Sequence, residues 1–316
     1  MRNEFIVGMD LGGTFLKYAL GTSDGELIYV AKMPSKGDAT QAEIFEVIFE
    51  AVEDVQKQAR DRNGEILALG FGSPGAVDFD QGRLLGNTPN LPHWGNANIR
   101  GQISGRFNIP TFADNDANVM VLAEATRGAA KGHKNVIGIT IGTGIGGGII
   151  IDGKIYRGHN YAGAELGHVS IDYNGLPCNC GGVGCIEQYA SAPGIVRNYL
   201  EKLPKKAKNP SALVTTEMIF ERARQGEEEA TETIDDTCLY LGTALSGFAN
   251  IFNPEIIVIG GGVADAGEDF LKRIWNVMEA RTMKTILKGL GLVGAELGNT
   301  AGMVGAISLA AQSYQS

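Results

Sequence analysis

Apolar residues recur along this chain with two alternating periods. Residues 41–60 place Ile44, Val47, Ile48, Ala51 and Val55 on one face at three- and four-residue spacing, as in an amphipathic helix. Residues 228–252 repeat the pattern over a longer span, with Ile234, Cys238, Leu241, Leu245, Phe248 and Phe252 on the stripe, so Cys238 is expected to be a core residue. Between the helical stretches lie short apolar runs that read as strands: Ile66–Gly72, Ile109–Ala113 and Glu255–Ile259. Asp114-Asn115-Asp116 follows the second run and is placed to cap a helix reaching about Arg127. Another helix is expected from about Gly267, and a last one over about Ala301–Gln312 that crosses back to the first half of the chain.

One pattern occurs twice. Ile6-Val-Gly-Met-Asp-Leu-Gly-Gly-Thr14 and Val136-Ile-Gly-Ile-Thr-Ile-Gly-Thr-Gly144 each read as an apolar strand entering a glycine turn, at an offset of 130 residues. A second strand follows each turn (Phe15–Leu20, Ile145–Ile151) and reaches an Asp-Gly pair (Asp24-Gly25, Asp152-Gly153), a strong hairpin signal. Two unrelated hairpins are the simpler reading. Strand, turn and hairpin recur in register, however, which points to two similar α/β domains, each supplying one glycine turn to a shared cleft. The division expected is residues 1–117 with 301–316 as a small domain and 118–300 as a large one.

Composition narrows the class. The chain has 316 residues, 44% hydrophobic and 20% charged, enough for two domains with real cores. A net charge of −9 disfavours nucleic acid as a partner. No apolar run reaches the ~18 residues of a membrane span, so no membrane partner is expected. Met-Arg-Asn-Glu-Phe5 leads straight into a strand without a secretory segment, and the cytoplasm is the expected location. The lysine-rich piece Lys202–Lys208 reads as a solvated loop.

Residues 165–187 follow neither period. Glu165-Leu-Gly-His168, Cys178-Asn-Cys180 and Gly-Gly-Val-Gly-Cys185-Ile-Glu187 bring one histidine and three of the four cysteines within eighteen residues, among glycines. Cys₃His is a ligand set of structural zinc, which makes His168, Cys178, Cys180 and Cys185 candidate ligands in a knuckle inserted into the larger domain. A disulfide with a free thiol is the competing reading, disfavoured where thiols stay reduced. Glu165 and Glu187 are each ordinary surface charges if taken alone. Flanking such a knuckle, they read as carboxylates held in place for sugar hydroxyls, with His168 donating to a sugar oxygen through its second ring nitrogen.

The first glycine turn offers Gly12, Gly13 and the Thr14 hydroxyl to a phosphate chain, with Lys17 on the strand that follows. Asp10 is suited to Mg²⁺ held through water. Gly142, Thr143 and Gly144 would hold the other side of the phosphates. Neither turn is a Walker A loop, since no Gly-Lys-Ser/Thr occurs, and neither makes a dinucleotide fingerprint, since a strand follows where a helix should. Gly260-Gly261-Gly262 would let an adenosine lie flat on the backbone; a tight strand–helix turn explains it nearly as well. In Asp114-Asn115-Asp116 one residue suffices as a helix cap, and the surplus points to a carboxylate facing a ligand. An aspartate there can take the proton of a hydroxyl attacking a γ-phosphate, and Asn115 suits a vicinal diol.

With these residues in place the chain resembles the ROK family (repressors, open reading frames, kinases) of sugar kinases. The resemblance covers essentially the whole chain through Asp10-x-Gly-Gly-Thr14, Gly72-Ser-Pro-Gly75, Asn115-Asp116, the glycine run 142–148, Glu165-x-Gly-His168, Cys178-x-Cys180-Gly-x-x-Gly-Cys185-x-Glu187 and Gly260-Gly-Gly262. It implies a duplicated actin-like (ribonuclease H-like) ATPase fold with two domains closing around a cleft. It implies Asp116 as catalytic base and sugar contacts from Gly75, Asn90, Asn115, Asp116, Glu165, His168 and Glu187. ATP, Mg²⁺ and structural Zn²⁺ are the implied cofactors, and a homodimer or homotetramer the implied assembly. The implied reaction is ATP-dependent phosphorylation of a hexose at the 6-hydroxyl, glucose foremost. Mannose, fructose, allose, N-acetylglucosamine and N-acetylmannosamine are alternatives, and polyphosphate is an alternative donor. A sugar-responsive repressor of the same family is the rival from another class. It is disfavoured because the first strand begins about five residues from Met1, leaving no room for a helix-turn-helix. An actin- or chaperone-like ATPase has no use for the Glu165/His168/Glu187 group.

Overall fold

The computed structural model describes residues 3–88, 91–204, 213–263 and 267–315. In chain order the first half runs β1 (Asn3–Leu11), β2 (Phe15–Gly21), β3 (Leu27–Pro34), α1 (Gln41–Asp61), β4 (Gly64–Ser73), the short pair β5 (Val77–Asp78) and β6 (Arg83–Leu84), α2 (Ile99–Phe107), β7 (Thr111–Asn115) and α3 (Asp116–Arg127). The second runs β8 (Val136–Ile141), β9 (Ile145–Ile151), β10 (Lys154–Ile155), α4 (Glu187–Ala190), α5 (Ala192–Lys202), α6 (Thr216–Arg224), α7 (Glu228–Phe252), β11 (Ile256–Gly260), α8 (Glu268–Arg281), α9 (Lys284–Leu287), β12 (Gly291–Gly294) and α10 (Ala301–Tyr314).

The strands form two five-stranded mixed sheets of one design, β3-β2-β1-β4-β7 and β10-β9-β8-β11-β12. In each, the central strand pairs antiparallel with its hairpin partner and parallel with the strand on its other side. The repeat read at an offset of 130 residues is therefore present strand for strand.

Two helices fill the space between the sheets. Residues 117–124 of α3 are all buried, and α10 is buried on nearly every face, as a helix apolar all round must be. Together with residues of β8, β9 and β11 they build one continuous apolar cluster around Val119, Val121, Ile150, Val258, Val304 and Leu309. Backbone approaches are close here. A Cβ at Gly305 would fall 1.8 Å from the Val119 carbonyl oxygen where α10 crosses α3, and one at Gly70 would fall 1.8 Å from the Ala306 oxygen where α10 lies on the first sheet.

Helix α7 has the bounds read from its stripe, with Cys238 buried on it. Helix α1 starts at a capping box between Thr40 and Glu43. Strand β7 is displaced two residues from the run expected over 109–113, because its ladder with β4 pairs Thr111 through Asn115 with Leu69 through Ser73. Lys202 ends α5 and pairs with Asp236 at 2.9 Å, so this part of the expected lysine loop is helical; residues 205–208 lie outside the described residues. Among the described residues no helix is long and apolar enough to cross a membrane.

Substituting alanine at Gly70 is expected to lower stability in chemical denaturation by about 1–3 kcal/mol or more, as overpacking does when the neighbour is backbone. Gly105→Ala, inside α2 with no atom near its Cβ position, is the control and is expected to be neutral or stabilising. Equal effects at the two positions would contradict the close packing of α10.

Candidate functional site

Each glycine turn leaves the central strand of its sheet. The Gly12 N–H donates to the Phe15 oxygen, and the Gly142 N–H to the Gly144 oxygen, each at 2.9 Å. Gly13, Thr14 and Thr143 are exposed at the turn tips. Gly261, after β11, has φ +88°, and a Cβ on it would fall 2.3 Å from the Ile141 oxygen. The Gly261–Gly262 turn is thus packed backbone to backbone beside the 142–144 turn, and the space next to Gly262 is open.

Asp10 stands opposite Lys17 in the β1–β2 ladder. Its carboxylate lies against the start of α10, where a Cβ on Gly302 would fall 2.4 Å from Asp10 Cγ. Burial raises the Asp10 pKa above its usual value, and the Lys17 charge opposes the rise. The Lys17 ammonium also lies 3.4 Å from Asn299 Oδ1.

The three residues Asp114-Asn115-Asp116 have three different partners. Asn115 is the cap of α3: its Oδ1 accepts from the Ala117 and Asn118 N–H groups at 2.9 and 3.2 Å, and its Nδ2 donates to the Gly75 oxygen at 3.0 Å. Asp114 accepts from Arg157 Nε at 2.8 Å. Asp116 accepts from the Ala117 N–H at 2.9 Å. Burial first, and the Asp10 charge second, push its pKa from 3.8 up to about 7; Glu165 adds to the rise and the Ala117 N–H opposes it. A carboxyl that titrates near neutrality can accept a proton there.

The knuckle residues converge. His168 Nδ1 lies 3.6 Å from Cys178 Sγ, and Cys180 Sγ lies 3.6 Å from Cys185 Sγ. All four donor atoms fall within 4.8 Å of one another. Tetrahedral zinc with bonds of ~2.3 Å to sulfur has edges of ~3.8 Å, so the donor set fits that ion. The sulfurs are too far apart for an S–S bond of ~2.05 Å, and all the cysteines are free. Burial and the neighbouring thiols push Cys185 up to about 12, whereas the Gly182 N–H holds Cys180 below the usual thiol value. A divalent cation supplies the charge that lets such a set ionise together. His168 presents Nδ1 to the thiols, which leaves Nε2 for another partner.

Glu165 precedes the short 3₁₀ turn Leu166–His168. Glu187 opens α4, and its Oε2 accepts from the Ile145 N–H at 2.9 Å, which ties the end of the knuckle to the second glycine turn. Expected sugar contact Asn90 lies outside the described residues.

Residues 6–313 match the model of the ROK family. The glucokinase of Halalkalibacterium halodurans is 35% identical over 313 residues, an alignment taking in 96% of this chain and 94% of that protein. Among solved structures, a ROK family glucokinase from Streptomyces griseus in complex with glucose and AMPPNP has a TM-score of 0.80 at 32% identity, over 98% of this chain and 99% of the other. A ROK hexokinase from Thermus thermophilus has a TM-score of 0.83 at 30% identity, over the same shares. The chain belongs to the ROK family.

Two residues of this ROK protein that hold the site together are not visible from spacing alone. Glu124, fully buried in α3, accepts from the Ala129, Glu296 and Leu297 N–H groups and so fixes the loop that leads through Asn299 into α10. Its sequence signal is a lone acid within the apolar run from Val119. Arg157, in a loop without regular structure, has no comparable signal.

The folded protein holds the Asp116 proton up to about pH 7, while the unfolded chain releases it near 3.9. The folded state binds more protons in that window, so this group's contribution to stability falls as pH rises through it. Asp116→Asn is expected to melt above wild type at pH 8, with the gap narrowing as pH falls from 7 to 4. Calorimetric melting at a series of pH values checks this, and a gap that does not vary with pH would contradict it.

Proposed function

We propose that this protein transfers the γ-phosphoryl group of ATP to the 6-hydroxyl of a hexose, with glucose as the preferred acceptor. The observation that carries the reading is Asp116: a half-buried carboxyl whose pKa is pushed up to about 7, at the start of a helix, with Asp10 and Glu165 near enough to raise it. Near-complete mutual coverage with a glucokinase and with a structure holding glucose and AMPPNP supports the choice of substrates.

In this reading Asp116 accepts the proton of the 6-hydroxyl as that oxygen attacks in line. Gly75, Asn90, Asn115, Glu165, His168 and Glu187 bind the sugar; carboxylates accept from its hydroxyls and Asn115 serves a vicinal pair. Gly12, Gly13, Thr14 and Lys17 grip the phosphates from one side and Gly142, Thr143 and Gly144 from the other, while Gly261 and Gly262 back the adenosine. Asp10 is the residue that would hold Mg²⁺, through water. Bound Mg²⁺ supplies neutralising charge to the phosphates. His168, Cys178, Cys180 and Cys185 would hold Zn²⁺, which with four protein ligands has a structural part and no open position. The fold is taken as the duplicated actin-like ATPase fold, with residues 1–117 and 301–316 as one domain and 118–300 as the other. Closure of the two on substrate would exclude water. A cytoplasmic homo-oligomer completes the proposal.

ADP release measured with and without sugar tests the reading. Glucose is expected to stimulate it strongly, with the rate rising with pH to a plateau above about 7 as Asp116 ionises. Asp116→Asn should keep sugar affinity and lose roughly 10²–10⁴-fold in kcat. Sugar-independent ADP release, or a variant with normal kcat, would sink the assignment, and sugar binding without turnover would favour the repressor-type reading.

Zinc is tested separately. The purified protein should carry about one zinc per chain, since Cys₃His closes a single tetrahedral site. Cys180→Ala should lose the metal, melt lower and bind glucose more weakly. Metal-free protein with an unaltered variant would rule the knuckle out.

A further inference from the structure

A bracket of side chains joins the two halves of the fold beside Asp116. Arg157 follows β10 of the second sheet, and Asp114 belongs to β7 at the edge of the first. The guanidinium Nε and Nη2 stand 2.8 and 2.7 Å from one and the same carboxylate oxygen, Asp114 Oδ2. The other oxygen accepts from the Asn115 N–H at 2.8 Å and from Asn118 Nδ2 at 3.0 Å. Asp114 is buried, with a side chain only 2% exposed. The same guanidinium lies 3.8 Å above the centre of the Phe79 ring.

A second contact crosses nearby: the Tyr161 hydroxyl donates to Asp80 Oδ2 at 2.5 Å. The Phe79–Asp80 turn is held from its own side by Arg100, which donates to the Phe79 oxygen at 3.0 Å. The loop bearing Arg157 is closed on itself by the Gly163 N–H donating to the Arg157 oxygen at 2.9 Å, and two residues after Gly163 comes Glu165. One end of the bracket therefore leads directly to Glu165 and the other directly to Asn115 and Asp116.

We propose that Arg157 is a positioning residue: by gripping Asp114 across the two halves, it sets the first turn of α3 and the Glu165 loop in fixed relation, so that the base meets the hydroxyl it deprotonates. This rests on the hexose kinase reading above. Without the guanidinium the buried Asp114 carboxylate has no cation, a costly state that rearranges its remaining bonds. Those bonds are to Asn115 and Asn118, on either side of the base. Lysine does not replace the pairing, because a single ammonium cannot place two donors on the oxygen and also stack on Phe79.

The test is steady-state kinetics on the full chain as wild type, R157M and R157K, with glucose and ATP varied separately. R157M keeps the apolar stem over Phe79 and removes the charge. A misplacement of ~1 Å at a reacting group costs about 100-fold; R157M is expected to lose kcat on that order and R157K to fall between it and wild type. KM for glucose should rise in both variants while KM for ATP stays within about twofold, a split that general loss of structure would not produce. Should R157M not fold, R157K alone is read in the same way. Variants with wild-type kcat, or with both KM values raised in proportion, overturn the inference while leaving the kinase reading standing. A wild type that does not phosphorylate glucose or any other hexose overturns both.

Discussion

The crossing of α3 and α10 sets the geometry of everything around it. At Gly305 the two backbones meet so closely that a single Cβ would overlap the Val119 carbonyl oxygen, and the apolar cluster there draws on both sheets. Helix α3 begins with Asp116, and the start of α10 rests against the Asp10 carboxylate. The separation of the two carboxylates is thus a consequence of helix packing. Interiors packed at crystal-like density do not let such a distance drift. Glu124 reinforces the arrangement from behind: its three backbone donors fix the loop ahead of α10, and that loop carries Asn299, the partner of Lys17.

This packing has an electrostatic cost. Asp10, Asp116 and Glu165 come from three separate parts of the chain, and both neighbours raise the proton affinity of Asp116. Left to itself a chain would separate three such groups in water. Here the core holds them together, and strain of this kind concentrates where chemistry is done. Desolvation is the largest contribution at Asp116, so the same burial that destabilises the ionised form brings its pKa to the range in which a base works.

What could be read from the residues in advance follows from how local each feature is. Helix α7 was delimited by its stripe because one face of a long helix is buried along its length. The duplicated hairpins were visible because strand, turn and strand are contiguous. The knuckle was visible because its four donors fall within eighteen residues. Strand β7 slid by two residues because its bounds come from its β4 partner, and its last two positions, Asp114 and Asn115, are polar. The same locality explains what stayed hidden. Arg157 meets Asp114 across 43 residues and Glu187 meets Ile145 across 42; neither pairing leaves a mark in spacing or periodicity. Asp114-Asn115-Asp116 is chemically loaded in the sequence, but only the fold separates the ion-pair partner, the cap and the carboxylate whose pKa is raised.

The knuckle is tied to the second glycine turn as well as to Glu165. Glu187, two residues past Cys185, accepts from Ile145 N–H at the exit of the second glycine turn. The Ala192 N–H donates to the Gly142 oxygen at its entrance. Both ends of that turn are therefore held by the segment that follows the last cysteine. His168, at the other end of the knuckle, is three residues from Glu165. A metal ordering the four donors would stiffen one short stretch of chain, and the bonds at Ile145 and Gly142 would carry that stiffness to the 142–144 turn. Four protein ligands leave the ion no position for a substrate oxygen. Its effect on turnover would then be exerted through the placement of Glu165, Glu187 and the 142–144 turn.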